Sequence, residues 1–364
     1  MIRVLQVVTK MGYGGLETMI MNYYRHIDRN KIQFDFLVHR PEEADYHEEI
    51  RSLGGKIFNI QRLVPWSLSY KKELKQFFLS HPEYQIIHVH QDCMSSVILK
   101  TAKECGVPYR IAHAHSSSQD KNLKYPIKMH YKKYINKYAT KLFACGNDAG
   151  NFIFGSAPYD IMTNAIDTSE YTFNSRKRTE VRALLGVGDE EVLIGHIGKF
   201  RVQKNQSFLV DVFSEIDKKQ ETKLLMIGTG DQFSAVQDKV EKLRLSDKVI
   251  MTGVRADIAD LLQAMDVFVF PSTYEGLPMV LIEAQASGLP CLVSDRVPIE
   301  CKKTDLVYQF PLDSSARSWA DKALELSTIK REDKSAEIKQ SGYDITENAV
   351  RLQRYYMDLA QGVS

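Results

Sequence analysis

Residues 266–288, DVFVFPSTYEGLPMVLIEAQASG, decide how the chain is read. The apolar run Val267–Phe270 reads as a buried strand and PSTYEGL as a loop. Pro278 suits the first position of a helix through MVLIEAQAS, which Gly288 ends. Glu275 then lies in the loop above the strand's carboxyl end, and Glu283 inside the helix. In a parallel sheet, such a strand–loop–helix unit turns the free N–H groups of the helix start toward the crevice where these sheets bind anionic ligands. Carboxylates cannot bind the anion, but they can accept hydrogen bonds from hydroxyls of the same ligand. Amides for phosphates and carboxylates for hydroxyls describe a nucleotide sugar. The same letters also fit two ordinary acids, one in a loop and one on a solvated helix face.

On both sides of this stretch, strand-like runs alternate with amphipathic helical segments, the pattern of α/β units with parallel sheets. The first half holds IRVLQVV, QFDFLVH, KIFNI, QIIHVH, YRIAHAH, KLFAC and DIMTN. After the polar passage NAIDTSEYTFNSRKRTEV the pattern restarts with VLIGHIG, KLLMIG, KVIMTG, VFVF and PCLVS. A chain of 364 residues exceeds what one core usually organises. The expectation is therefore a doubly wound domain over 1–170, a second over 171–343, and a terminal helical segment over 344–364. Two such domains form a cleft between the carboxyl ends of their sheets, so ligand motifs should follow strands.

Bulk properties narrow the classes. A formal net charge of +2 is too small to argue for nucleic acid. Five cysteines without a CxxC pair fit a reduced compartment. With no signal-peptide pattern and no charge-free stretch of about 20 residues, the expected location is the cytoplasm.

The motifs do follow strands. KMGYGGLET places Gly12, Gly14 and Gly15 after the first strand, where backbone can approach a phosphate or sugar closely. A dinucleotide fingerprint needs glycine at position 17, and Glu17 stands there, which disfavours a dehydrogenase. HIGKFRVQKNQ gathers Lys199, Arg201 and Lys204 before a helix start, where the dipole opposes cations unless an anion lies between them. Three solvated cations on a loop fit equally simple letters. In RIAHAHSSS, His113 and His115 share one strand face, with His115 at the tip. Serines follow where a zinc site would want ligands. His88 and His90 end another strand, and such a pair is more often structural than catalytic. The chain contains no Asp-x-Asp, the divalent-metal diphosphate clamp of many nucleotide-sugar enzymes. Residues 121–141 carry seven lysines and no acid, with Ile127, Tyr131, Tyr134 and Tyr138 on one helical stripe. That stripe fits a core-facing helix with a solvated rim, or a helix lying on anionic lipid.

With Glu275 and Glu283 in FVFPSTYEGLPMVLIEAQASGLP, the loop GYGGLE, the cationic GKFRVQKN and TNAID before the linker, the chain resembles glycosyltransferase family 4. The likeness runs in order over nearly the whole chain and is nearest to bacterial exopolysaccharide and capsule enzymes. It implies the GT-B fold, two Rossmann-like domains facing across a cleft, with the last helix often returning to the first domain. It implies retaining, metal-independent transfer of a hexose or N-acetylhexosamine from a nucleotide sugar, expected to be UDP-linked, to a saccharide acceptor, expected to be lipid-linked. No cofactor or metal is implied. By the resemblance, Glu283 holds the ribose hydroxyls, Glu275 the donor sugar hydroxyls and Lys204 the phosphates, and His115 lies near the reacting centre. His115 and Glu275 are the catalytic candidates. Gly14, Gly15, Lys199, Arg201, Gly228, Val254, Gly276, Leu277 and Met279 complete the donor site. Two positions depart from the pattern. Lys199 stands where arginine is usual, and Ala165 where glycine is usual.

Two other readings fit the same architecture. A nucleotide-sugar epimerase would convert donor without an acceptor, and a degenerate binding subunit would hold nucleotide without turnover. The intact set of Glu275, Glu283 and Lys204 argues for an enzyme, with residues 121–141 bringing it to the inner face of the membrane as a peripheral protein.

Overall fold

The structure, a computed structural model, describes residues 1–119 and 122–362. The chain divides into two compact units, Met1–Ile166 with Ile345–Ser364, and Asp167–Asp344.

In the first unit, β1 (Ile2–Val8), β2 (Ile32–Val38), β3 (Ile57–Asn59), β4 (Ile86–Val89), β5 (Tyr109–Ala114), β6 (Lys141–Ala144) and β7 (Asp160–Ile161) form one sheet. Its order is β3-β2-β1-β4-β5-β6-β7, and every pairing is parallel. The chain starts in the middle, runs to one edge and then crosses to the other, so the order reverses between β1 and β4. Register sets Gln6 beside His88 and His88 beside Ile111. Since side chains alternate, Val4, Gln6, Ile86, His88, His90, Ile111, His113 and His115 all turn to one face. Two helices cover that face, Gly15–His26 and the terminal Ile345–Ala360. The terminal helix buries Ile345, Ala349, Leu352, Tyr356 and Leu359, a stripe at spacings of four and three. It begins where the Ile345 N–H donates to the Ile166 carbonyl at 2.9 Å.

The second unit repeats the plan with β8 (Val192–Ile197), β9 (Thr222–Ile227), β10 (Val249–Met251), β11 (Val267–Phe270), β12 (Cys291–Ser294) and β13 (Val307–Phe310). The order is β10-β9-β8-β11-β12-β13, again wholly parallel, and it reverses between β8 and β11. Both loops flagged by the sequence, after β8 and after β11, thus leave the sheet at its switch point. The decisive helix spans Met279–Ala286, and Pro278 caps it from outside with an extended ψ of 109°. Pro278 is therefore one position before the helix rather than its first residue. Gly288 ends it at φ +66°, pressed against the Glu332 carbonyl where a Cβ would collide.

Two expectations need correction. β13 was absent from the reading because VYQF is a four-residue edge strand with mixed burial. The basic segment is not one helix: it breaks into Tyr125–Lys132 and Ile135–Tyr138 at Lys133 and Tyr134. The break takes Tyr134 out of line with Ile127 and Tyr131, and the buried residue of the second piece is Ile135. Lys121 lies outside the described residues. Among those residues, no helix is long and apolar enough to cross a membrane.

Candidate functional site

In the second unit, the loop after β8 turns through a short 3-10 helix, Val202–Lys204, before the helix Gln206–Asp217. Asn205 joins the two in the left-handed region at φ 56°. This loop is stitched to the one after β11. The Thr273 N–H donates to the Gln203 carbonyl at 2.8 Å, Gln203 Nε2 to the Tyr274 carbonyl at 2.8 Å, and Asn205 Nδ2 to the Pro271 carbonyl at 3.2 Å. The stitching sets Lys204 Nζ 2.7 Å from Glu275 Oε1 and 4.5 Å from the centre of the Phe270 ring. The two side chains are only 17% and 7% exposed. Their contact is an ion pair, and Glu275 Oε1 has no aligned hydrogen-bond donor. Lys199 and Arg201 are exposed, without a side-chain partner among the described residues.

Beneath the pair lies His196, stacked against Phe268 and Phe270. Its Nδ1 is 2.9 Å from the Val269 carbonyl, which can only accept, so Nδ1 carries the proton and Nε2 is left as a buried lone pair without a partner. Burial pushes this imidazole down to about 4. Ser272 Oγ is likewise buried and unpartnered. The loops after β8 and β9 press together at Gly228, φ +132°, where a Cβ would strike the Gly198 carbonyl.

Glu283 projects from a helix that is otherwise apolar on nearly every side. Burial raises its carboxyl to about 7, and a hydrogen bond with Tyr171 only partly offsets this. Gly276 is exposed, Leu277 and Met279 are half-buried, and Val254, 50% exposed, lies in the loop after β10. The Leu281 amide already donates to the Pro278 carbonyl at 3.0 Å, so the first-turn amides left for an anion are those of Met279 and Val280.

In the first unit, Gly14 caps the helix that opens at Gly15. A Cβ at Gly15 would meet nothing within 4 Å, so packing does not require glycine there and the loop stays open on that side. His115 follows β5. Its N–H and that of Ser116 donate to Asp92 Oδ1 at 2.8 and 3.3 Å, and Ser116 Oγ donates to Oδ2 at 2.6 Å. Asp92 itself takes a left-handed φ of 42°, an unusual conformation that clusters at functional sites. His115 Nε2 is 2.9 Å from His90 Nδ1. Burial brings His115 down to about 4, with Asp92 opposing the shift, and holds His90 well below its ordinary range. Both imidazoles are neutral near pH 7. The four histidines at the tips of β4 and β5, read from sequence as two separate pairs, form one buried row.

His88, His90 and His113 bring one nitrogen each within 4.8 Å of one another. The His88 ring nonetheless stacks on His90 at 24° and on His113 at 18°. A metal binds in the plane of each imidazole, and nearly parallel rings aim their lone pairs along parallel lines rather than at one point. Both nitrogens of His90 are also engaged, by His115 and by Gln6. His88, His90 and His115 are instead engaged in hydrogen bonds.

Of the residues singled out by sequence, the structure joins Lys204 with Glu275, leaves Lys199 and Arg201 free, and sets Glu283 apart inside its helix. Ala165 is buried in the first unit's core, where its methyl group fits. Sequence reasoning missed Gln203, Asn205, Asp92 and Tyr171. Gln203 and Asn205 stood beside the lysines in VQKN, but an amide that staples two loops leaves no charge pattern to find.

The model for glycosyl transferases group 1 matches residues 177–336, and that for Glycosyltransferase Family 4 matches residues 13–169. EpsF of Bacillus subtilis is 33% identical over 371 residues, which cover 97% of this chain and 96% of its own. The capsular polysaccharide biosynthesis glycosyltransferase CapH of Staphylococcus aureus is 24% identical over 380 residues, 98% of this chain and 99% of its own. Among solved structures, Anabaena HepE in complex with UDP-glucose superposes with a TM-score of 0.75 over the full length of both chains at 15% identity, a likeness of fold. Two doubly wound units, the paired Lys204 and Glu275 at a switch point, and this agreement along the whole sequence identify the chain as a GT-B glycosyltransferase that belongs to glycosyltransferase family 4.

Proposed function

We propose that the chain is a retaining, metal-independent transferase that moves a hexose or N-acetylhexosamine from a UDP-sugar to a lipid-linked saccharide in surface-polysaccharide synthesis. The observation that carries this reading is the Lys204–Glu275 pair, held by stitched loops beside a helix start whose amides suit an anion. Lys204, Lys199, Arg201 and these amides meet the diphosphate. Glu275 accepts hydroxyls of the sugar, Glu283 those of the ribose, and His115 is the catalytic residue that the first unit contributes. The bond from the anomeric carbon to the diphosphate oxygen breaks and one to the acceptor oxygen forms on the same face, with the acceptor's proton leaving on the diphosphate. CapH, matched nearly end to end, supports the polysaccharide assignment, and the UDP-glucose held by HepE supports the donor class. The exposed lysines of 122–141 support docking on anionic lipid, where such acceptors reside.

The test is a panel of nucleotide sugars with and without lipid-linked acceptor, reading released nucleotide by mass spectrometry and product anomer by NMR. Acceptor-dependent release of UDP with retained configuration is expected. Conversion of donor to an epimer without acceptor would overturn the reading.

A further inference from the structure

The histidine row continues past His90 into the core. His90 Nε2 is 2.9 Å from Gln6 Oε1. The Gln6 side chain is also hydrogen-bonded to the Tyr356 phenol, whose hydroxyl is 2.6 Å from His88 Nδ1. The hydrogen-bonded chain therefore runs His88, Tyr356, Gln6, His90, His115, and its inner members are at most 4% exposed. A line of groups that each give and take one proton has a direction, and the amide fixes it. The Gln6 carbonyl oxygen can only accept, so His90 carries its proton on Nε2. His90 Nδ1 is then a lone pair and accepts from His115, whose proton must sit on Nε2. His115 Nδ1 is consequently a bare acceptor, and it is buried without any protein partner.

We propose that Gln6 and His90 are positioning residues that hold His115 in its Nε2–H tautomer, so that Nδ1 is kept as an acceptor for a sugar hydroxyl. This rests on the reading above that His115 is catalytic. Reversal of the chain would put a proton on Nδ1 and make it a donor. The neutral state of both imidazoles, which burial enforces, keeps the question one of tautomer rather than of charge. Tyr356 carries the chain into the terminal helix, so the last element of the sequence contributes to the orientation of a residue after β5.

The test labels the full-length chain with histidine enriched in carbon-13 and nitrogen-15 and assigns the His115 ring signals with a His115→Ala control. The wild type should show one neutral Nε2–H tautomer at His115 at neutral pH. Gln6→Met, nearly isosteric, and His90→Phe, which keeps a flat ring in the stack, should each move His115 toward a mixture of tautomers. Circular dichroism melts identify any variant that fails to fold, and the other then decides. Each variant should lower kcat about ten- to hundredfold with the donor KM little changed, the scale on which an outer partner affects the group it orients. A His115 signal that is Nδ1–H in the wild type, or unmoved in both folded variants, would overturn the proposal directly. Full activity of His115→Ala would instead remove the role of His115, and with it the target of the positioning, whatever the tautomer.

Discussion

Glu283→Gln should stabilise the second unit above neutral pH and abolish a proton that donor binding releases. Burial raises the Glu283 carboxyl from 4.5 to about 7. The folded protein thus holds this proton more tightly than the unfolded chain. The associated stability is complete below the unfolded value and is lost as pH rises through about 7. At about 1.4 kcal/mol per pH unit, the difference between the two values is worth about 3.5 kcal/mol. The residue retains some solvent contact, which reduces this to about 2 kcal/mol. Glutamine carries no charge, so the variant should match the wild type under acid conditions and exceed it by about 2 kcal/mol at pH ~8 and above. The ligand acts on the same equilibrium. Ribose hydroxyls donating to the carboxylate favour its charged form, so binding near pH ~6 should expel up to about one proton. Calorimetry with UDP in two buffers of different ionisation enthalpy counts that proton, and denaturant melts across pH give the stability. Equal stability of wild type and variant at high pH would refute the burial argument. Proton release that persists in Glu283→Gln would refute the contact with ligand.

Three further outcomes are expected. Lys204→Ala should depress kcat/KM more than Lys199→Ala or Arg201→Ala, because it removes a phosphate partner and strands the buried Glu275, while the Lys199→Ala/Arg201→Ala double change should fall well below either single one; steady-state kinetics with one donor decides, and a fully active Lys204→Ala enzyme would sink the assignment. Activity should survive EDTA, since the proposed site meets the diphosphate with cations and amides; loss on chelation with recovery on magnesium or manganese would reverse that. Replacing the exposed Lys124, Lys133 and Lys137 with Gln should weaken sedimentation with anionic vesicles by about 1 kcal/mol per lysine. Lys128 and Lys132 should matter less, because Lys128 is bonded to Gln119 and Lys132 to the Phe152 carbonyl.

The strands legible in the sequence are those buried on both faces, as in β2, where no residue of IQFDFLV is exposed. Continuous apolar runs between turn residues announce such strands, whereas the edge strand β13 has a polar face and only four residues. The site was legible where chemistry is written in charge, at Lys204, Glu275 and Glu283. It was illegible where it depends on register. His88 and His90 stand far from His113 and His115 in sequence, and only the pairing of β4 with β5 merges them into one row. Gln6 resembles any polar residue in a strand until β1 is set beside β4. The basic segment misled for a local reason. Helical spacing of tyrosines can be counted through a break, but Lys133 and Tyr134 end one helix before Ile135 begins the next.

The structure also separates two carboxylates that the sequence presents as equals. Glu275 is nine-tenths buried yet has a counter-ion within the fold, so its charge is met before any ligand arrives. A pair this enclosed adds little net stability, because desolvation of both ions offsets most of their attraction. Among the described residues Glu283 has no cation beside it and bonds to Tyr171, and it answers burial by holding its proton. The first acid therefore has a counter-ion supplied by the fold, and the second is kept near the point of ionisation by its surroundings. Around the first, the fold also leaves His196 Nε2 and Ser272 Oγ without partners. Buried polar atoms left unsatisfied are destabilising, and these two lie on adjacent segments, one near the end of β8 and one just after β11. On the function proposed above, the diphosphate meets Lys204, and hydroxyls of the sugar and ribose meet the two carboxylates.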